Sequence, residues 1–359
     1  LGEQRRQPGG DAPGRGLAQA VILLTSATRQ ALEAIGEIKN DDPDPVRKQQ
    51  AKATLDELSK TAQRLLEESD FDVAWVEKSD LGSGRRALVV APLSVAGTLS
   101  EHLFEDRTVV ATSATLTLGG RFDTVARSLG LPAEPTGWDS LDVGSPFDYP
   151  KQGILYVASH LPRPAASGLP DKAGEELLAL VEALGGATLG LFSSRRAATQ
   201  AAELLRARTD LPVLLQGEEA LPLLVRRFRE DRASCLFGVM SLWQGVDVPG
   251  DACQLVVIDR LPFPRPDEPL AAARAAAVDA SGGSGFSAVS VPIAAIRLAQ
   301  GVGRLIRSTG DKGVVAVLDS RLETARGYGA FLRNSLPPFW YTTRQEVALG
   351  ALKRLASPH

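Results

Sequence analysis

Six short runs of mostly apolar residues, each four to six long, recur between residues 153 and 318: 153–157, 187–192, 212–215, 235–239, 254–259 and 313–318. Helical patterns separate most of them, at 175–184, 197–208, 221–230 and 292–308. A strand that is apolar on both faces must be covered on both. Such strands alternating with helices therefore predict a parallel sheet with a helical layer on each side. Ligands in α/β sheets gather beyond the carboxyl ends of the strands. The residues that follow each run are the first place to look for chemistry.

The run at 187–192 ends in Ser193, Ser194 and Arg195 and then enters a helix. Hydroxyls and free amides at a helix N-terminus form an anion site; Ser194 serves equally well as an ordinary N-cap. The run at 235–239 leads into a loop with Trp243, Gln244, Gly245, Val246 and Asp247 before Pro249 and Gly250. Glycine allows close backbone approach, and Asp247 can bond a ribose hydroxyl, a water or an arginine. A purely structural loop is the alternative. The run at 313–318 ends in Asp319 and Arg321. Upstream, 108–111 is expected as a buried strand ending in the hydroxyl-rich Thr112, Ser113 and Thr115.

Residues 300–307 read QGVGRLIR. On a helix at about 100° per residue, Gln300, Arg304 and Arg307 fall at about 0°, 40° and −20°, with Arg297 near 60°, on one narrow face. Leu298, Val302 and Leu305 lie opposite and would dock the helix, and Pro292 suits its first turn. Guanidinium is always charged and forks onto phosphate oxygens, so this face suits a polyphosphate. A solvated basic face is the plainer reading of the spacing alone.

Two apolar stripes occupy the N-terminal part. Leu17, Val21, Leu24, Thr28, Ala31, Ile35 and Ile38 form one; Ala51, Leu55, Leu58, Ala62 and Leu65 form the other. KNDDPDP at 39–45 breaks them, and Asp44 before Pro45 is a helix-start signal. This predicts an antiparallel helical hairpin. Strands are expected near 73–76 and 87–91, with a turn at 81–85 and a short helix within 92–104. The expected divisions are a flexible lead at 1–15, the hairpin at 16–72, a segment at 73–136 and an α/β domain at 137–359. SGGSG at 281–285 lacks the Lys-Ser/Thr of a phosphate-binding P-loop. LPFPRP at 261–266 reads as a rigid turn. Phe339, Trp340 and Tyr341 read as packing residues, with base stacking as the alternative.

Composition excludes several classes. The 359 residues are 44% hydrophobic with a net charge of −3, enough apolar content for a core and no global basic signal. Charge is uneven: residues 290–359 hold ten Lys/Arg against four Asp/Glu. A polyanion-binding face would draw on that part. Two cysteines, Cys235 and Cys253, and three scattered histidines supply neither a disulfide framework nor a metal site with ligand spacing. No apolar run approaches about 18 residues, so no membrane span is expected. No secretory signal is visible, and a cytoplasmic location is expected. The chain begins at Leu1, which fits a fragment or a trimmed start.

TSATL at 112–116, LFSSR at 191–195, GVMSLWQGVDVPG at 238–250, VVIDRLPFPRPDEP at 256–269 and QGVGRLIR at 300–307 occur in this order. Together they resemble the DinG branch of the XPD/DinG helicases of superfamily 2, in an actinobacterial style. The resemblance implies a RecA-like fold: TSATL is motif III, LFSSR motif IV, the WQGVD loop motif V and QGVGRLIR motif VI. Gln244 stands where many relatives carry Glu, so no role that needs a charge is carried over there. No GxxxxGK[ST] and no DEAH or DEAD run is present. The chain therefore looks like the C-terminal half of such a helicase, with the first motor domain, its Walker A loop and its Mg²⁺-holding acidic motif outside it. Any iron–sulfur cysteines would lie in that other half, and the hairpin would end the family's arch domain. By the same likeness Arg307, Arg304 and Gln300 act on ATP, and Gln244, Gly245 and Asp247 line its site. Ser193, Ser194 and Arg195 hold single-stranded DNA, and Thr112, Ser113 and Thr115 couple the two. The implied activity is 5′ to 3′ DNA unwinding driven by ATP; this chain alone would hydrolyse ATP poorly or not at all. A non-catalytic module that binds single strands or a partner is the alternative. A nuclease reading finds no two-metal carboxylate cluster. Oligomeric state is not readable.

Overall fold

The computed structural model describes residues 13–38, 42–67, 69–78, 86–132, 137–164, 168–239, 242 and 250–357. They form two compact units, 1–95 with 265–280, and 96–264 with 281–359. The turn expected at 81–85 and the loop residues Trp243, Gln244, Gly245, Val246 and Asp247 lie outside the described residues.

In the first unit, α1 (Pro13–Ile35) and α2 (Pro45–Leu66) form the predicted hairpin. The Asp44 side chain accepts from the Arg47 N–H at 3.0 Å, and Pro45 opens the first turn. Val21, Thr28 and Ala62 are its buried residues. Strands β1 (Asp72–Lys78) and β2 (Arg86–Pro92) pair antiparallel. Arg64 ties α2 to β1 with a two-pronged bond to Asp72, at 3.1 and 2.6 Å. A later helix, 269–280, joins this unit, where Arg274 Nε donates to the Leu93 carbonyl at 2.6 Å.

The second unit is built on seven strands: β3 (Gly153–Val157), β4 (Thr188–Leu191), β5 (Val213–Leu215), β6 (Cys235–Gly238), β7 (Leu255–Ile258), β8 (Gly313–Val317) and β9 (Trp340–Thr342). They form one sheet in the order β5-β6-β4-β7-β8-β3-β9, every pair parallel. All six predicted runs are strands. The seventh, β9, lies in the FWY segment that had read as packing residues. Its first residues are exposed at the sheet edge, and only Thr342 is buried, so three residues gave no apolar run to detect.

Strands β3, β5, β6, β7 and β8 feed both layers. Val256 and Ile258 face one core with Leu298 and Val302; Leu255 and Val257 face the other with Leu177, Val181 and Leu352. The helices that supply these layers are α3 (Asp171–Leu184), α4 (Arg195–Arg208), α5 (Leu221–Glu230), α6 (Val291–Val302) and α7 (Gln345–Ala356). Helix α4 docks through Ala197, Ala198, Ala201, Ala202 and Leu205, a narrow seam of small residues that brings its backbone close to the sheet. Cys235 and Cys253 are buried thiols within these cores, each pushed up to about 12 by burial.

Two expectations fail here. Residues 108–111 are not a strand: Val109 and Val110 are 41% and 83% exposed. Among the described residues no strand pairs with this run, and an apolar sequence forms a buried strand only when a sheet receives it. The helix expected over 292–308 stops at Val302. Gly303 caps it with its N–H on the Ala299 and Gly301 carbonyls, and the next residues bond elsewhere.

Close backbone approach at the start of β8 depends on Gly313. A Cβ there would sit 2.3 Å from the Gln254 carbonyl oxygen and 2.6 Å from Leu305 Cδ1. Gly313→Ala is therefore expected to destabilise the domain by about 1–3 kcal/mol. Gly310→Ala, whose Cβ would meet only Ser308 Oγ at 3.9 Å, should stay within about 0.5 kcal/mol. Urea unfolding of both variants checks this; equal midpoints would refute the steric account.

Candidate functional site

The predicted site residues divide between the two ends of the sheet. At the amino end, the chain leaves α6 at Val302 and turns through 303–312 into β8. Gln300 stays on the last turn of the helix, half-buried; Arg304 and Arg307 lie beyond it, half-buried and exposed. The single helical face drawn for them is thus a helix end followed by a turn. The physical reason is a competing acceptor. The buried Asp311 carboxylate takes the N–H groups of Arg307 and Ser308 at 2.7 and 2.8 Å and the Ser308 hydroxyl at 2.6 Å. These bonds hold 307–308 outside the helical path. Leu305 and Ile306 are both buried, anchoring the turn between the two arginines.

Burial would raise the Asp311 pKa. Donation from the Ser308 hydroxyl and from the Arg307 and Ser308 N–H groups outweighs it and holds the carboxyl below its ordinary value. Gln152, the residue before β3, donates its Nε2 to the Ser308, Thr309 and Asp311 carbonyls at 3.1, 3.2 and 3.0 Å. Between residues 297 and 312, Asp311 is the one carboxylate, against Arg297, Arg304, Arg307 and Lys312. It accepts two backbone N–H groups and the Ser308 hydroxyl. The arginine and lysine donors fit the phosphates of a nucleotide.

At the carboxyl end, Ser193 and Ser194 follow β4. Ser194 is the N-cap of α4, accepting from the Ala197 N–H at 3.2 Å. Arg195, exposed, opens the helix. Ser193 is fixed by Asp259 at the end of β7, which accepts its N–H at 2.8 Å and its hydroxyl at 2.9 Å. Burial pushes Asp259 up to about 6, against the Ser193 donors and the nearby Arg260 charge. Asp319, at the end of β8 and fully buried, accepts the Leu261 N–H at 2.9 Å and the Arg321 guanidinium at 2.7 Å. Arg321 also lies over the Phe263 ring, which packs with Phe286 and Tyr328. The LPFPRP turn is thereby tied to the neighbouring strand end.

Of the hydroxyl segment, Ser113 Oγ lies 3.2 Å from both the Thr115 hydroxyl and the Thr115 N–H. Thr112 and Ser113 are exposed and Thr115 half-buried. They meet neither arginine. Gln244, Gly245 and Asp247 lie outside the described residues. Sequence reasoning missed Asp311, Gln152 and Asp259 as site-builders. The available signal was a carboxylate closing each of two adjacent apolar runs, VVID and AVLD. Asp311 and Gln152 gave no comparable signal.

Residues 177–339 match the helicase C-terminal domain family. The chain is 53% identical over 315 residues to an ATP-dependent helicase DinG of Mycobacterium tuberculosis, covering 86% of this chain and 47% of that protein. It is 40% identical over 265 residues to an ATP-dependent DNA helicase YoaA of Haemophilus influenzae, covering 73% of this chain and 40% of that protein. A solved XPD structure without ligand superposes with a TM-score of 0.55 at 17% identity, covering 83% of this chain and 59% of that chain. The sheet thus carries a helicase C-terminal domain, and over most of its length the chain is similar to DinG-type helicases. It spans about half or less of the length of the curated relatives it matches.

Asp259 makes stability pH-dependent with a defined sign. Its folded pKa, about 6, lies above the ordinary 3.8, so between these values the folded state holds a proton that the unfolded state lacks. Stability from this group rises as pH falls from about 6 towards 4, by up to about 3 kcal/mol, and is lost as pH rises through 6. The wild-type minus Asp259→Asn difference in urea stability should follow that slope and be flat above pH 7. A flat difference throughout would refute it.

Proposed function

We propose that this chain supplies the second motor half of an ATP-dependent DNA helicase that moves 5′ to 3′ along single strands. The first motor domain, with the main phosphate cradle and the Mg²⁺ ligands, lies in the rest of the protein. On this reading Arg307 is the arginine finger. Arg304 contacts the same γ-phosphate, and Gln300 positions the nucleotide or the attacking water. Gln244, Gly245 and Asp247 line the nucleotide side. Ser193, Ser194 and Arg195 hold the DNA backbone, and Thr112, Ser113 and Thr115 link nucleotide state to domain closure. The helical hairpin is the end of an arch domain, the setting is the cytoplasm, and the chain alone turns over ATP poorly.

The observation that supports this best is the arginine turn at the amino end of the sheet. Two guanidiniums sit within four residues, on a turn whose backbone is held by Asp311. ATP supplies the phosphoryl group whose transfer drives the motor. The part of this chain is electrostatic: Arg304 and Arg307 offset charge that grows on the γ-phosphate oxygens. Ser193 and Arg195 stand at the opposite end of the same strands.

Arginine fingers contribute about 10³–10⁵ in rate. In the intact helicase, Arg307→Ala is expected to cut DNA-stimulated ATPase turnover by at least about 10³ while leaving the circular dichroism melt unchanged. Turnover within a few-fold of wild type would rule out the finger assignment.

A further inference from the structure

The proposed finger does not sit on a helix, so something other than helical hydrogen bonding must hold it. We infer that Asp311 and Gln152 are positioning residues for Arg307. This inference rests on the assignment of Arg307 made above.

The turn is held from both sides of its backbone. Asp311 takes its N–H groups at Arg307 and Ser308, and Gln152 serves its carbonyls at Ser308, Thr309 and Asp311. Both holders are buried, Gln152 at 8% and Asp311 at 6% exposure. A buried carboxylate accepting from two backbone amides and a hydroxyl leaves the turn little freedom to rotate, because each lost bond would strand a charged acceptor away from water. Gln152 ties the same turn to the base of β3, so its position is set by the sheet and not by the loop's own conformation. Neither residue is aimed at a phosphate: both act on the backbone that carries the guanidinium.

A misplacement of about 1 Å in a positioned group can cost about 10²-fold in rate. Asp311→Asn keeps the size of the side chain and removes its charge, weakening the bonds it accepts from the Arg307 and Ser308 N–H groups. In the full-length helicase it should lower ATPase kcat by about 10²-fold and leave KM for ATP within a few-fold. Amide hydrogen exchange at Arg307 and Ser308 should lose protection in the same variant, with exchange in β7 and β8 unchanged. In an Arg307→Lys background, where the fork is already lost, Asp311→Asn should cost little more. Gln152→Ala carries the same test if Asp311→Asn does not fold, with exchange read over 307–311. Three outcomes separate the claims. Near-normal turnover of Arg307→Ala overturns the finger assignment itself. A dead Arg307→Ala with a fully active, deprotected Asp311→Asn overturns the positioning inference alone. An undiminished further loss in the Arg307→Lys background also overturns it, because Asp311 would then act through another group.

Discussion

A sheet buried on both faces leaves only its two ends for chemistry. In this protein the constraint is severe, because Leu189, Leu191, Val256, Val257, Val315 and Ala316 are all essentially inaccessible. Every polar group that can meet a ligand must stand before a strand or after one. The structure uses both ends. The amino end carries the arginine turn of 303–312, and the carboxyl end carries Ser193, Asp259, Asp319 and Arg321. Parallel strands make this separation orderly, because all amino ends lie on one side.

At each end a buried carboxylate organises its neighbours. Asp311 is held ionised by backbone and hydroxyl donors. Asp259, with donors from Ser193 alone, loses more to burial than it recovers and titrates near neutrality. The contrast has two sources: Asp311 accepts two backbone N–H groups and a hydroxyl, whereas Asp259, with the Ser193 N–H and hydroxyl, meets a heavier burial penalty and the nearby Asp319 charge. Asp319 is paired with a guanidinium. None of the three is placed to bind a metal as a cluster, and among the described residues no such group of three is found. Their task is to hold serines, turns and arginines where the ends of the sheet present them.

Similar economy governs the helices. Helix α4 meets the sheet through alanines, so its N-terminus and Ser194 come close to the end of β4. Helix α6 meets it through Ala294, Ala295, Leu298 and Val302 and ends where Gly303 and the Asp311 bonds divert the chain. The proposed DNA contacts thus open a helix and the proposed nucleotide contacts close one. The dipole of the first favours an anion at its start. The second relies on formal charge.

Local pattern decided much of this protein. Continuous apolar runs made the six strands and their two-sided cover legible, and Asp44 with Pro45 made the hairpin legible, because burial and capping are written in residue type and spacing. The ordered motifs made the family legible, since five such strings in one order do not arise from packing alone. The tertiary structure decided the rest. Arg304 and Arg307 have helical spacing yet leave the helix: Arg304 bonds three residues back to the Gly301 carbonyl, and Asp311, four residues past Arg307, takes the Arg307 N–H. Val109 and Val110 have strand-like residues yet stay exposed, because a strand requires a neighbour that no single run can specify. Which end of the sheet each charged residue reaches follows from where the chain turns back, and that depends on hydrogen bonds between residues such as Gln152 and Ser308, 156 positions apart.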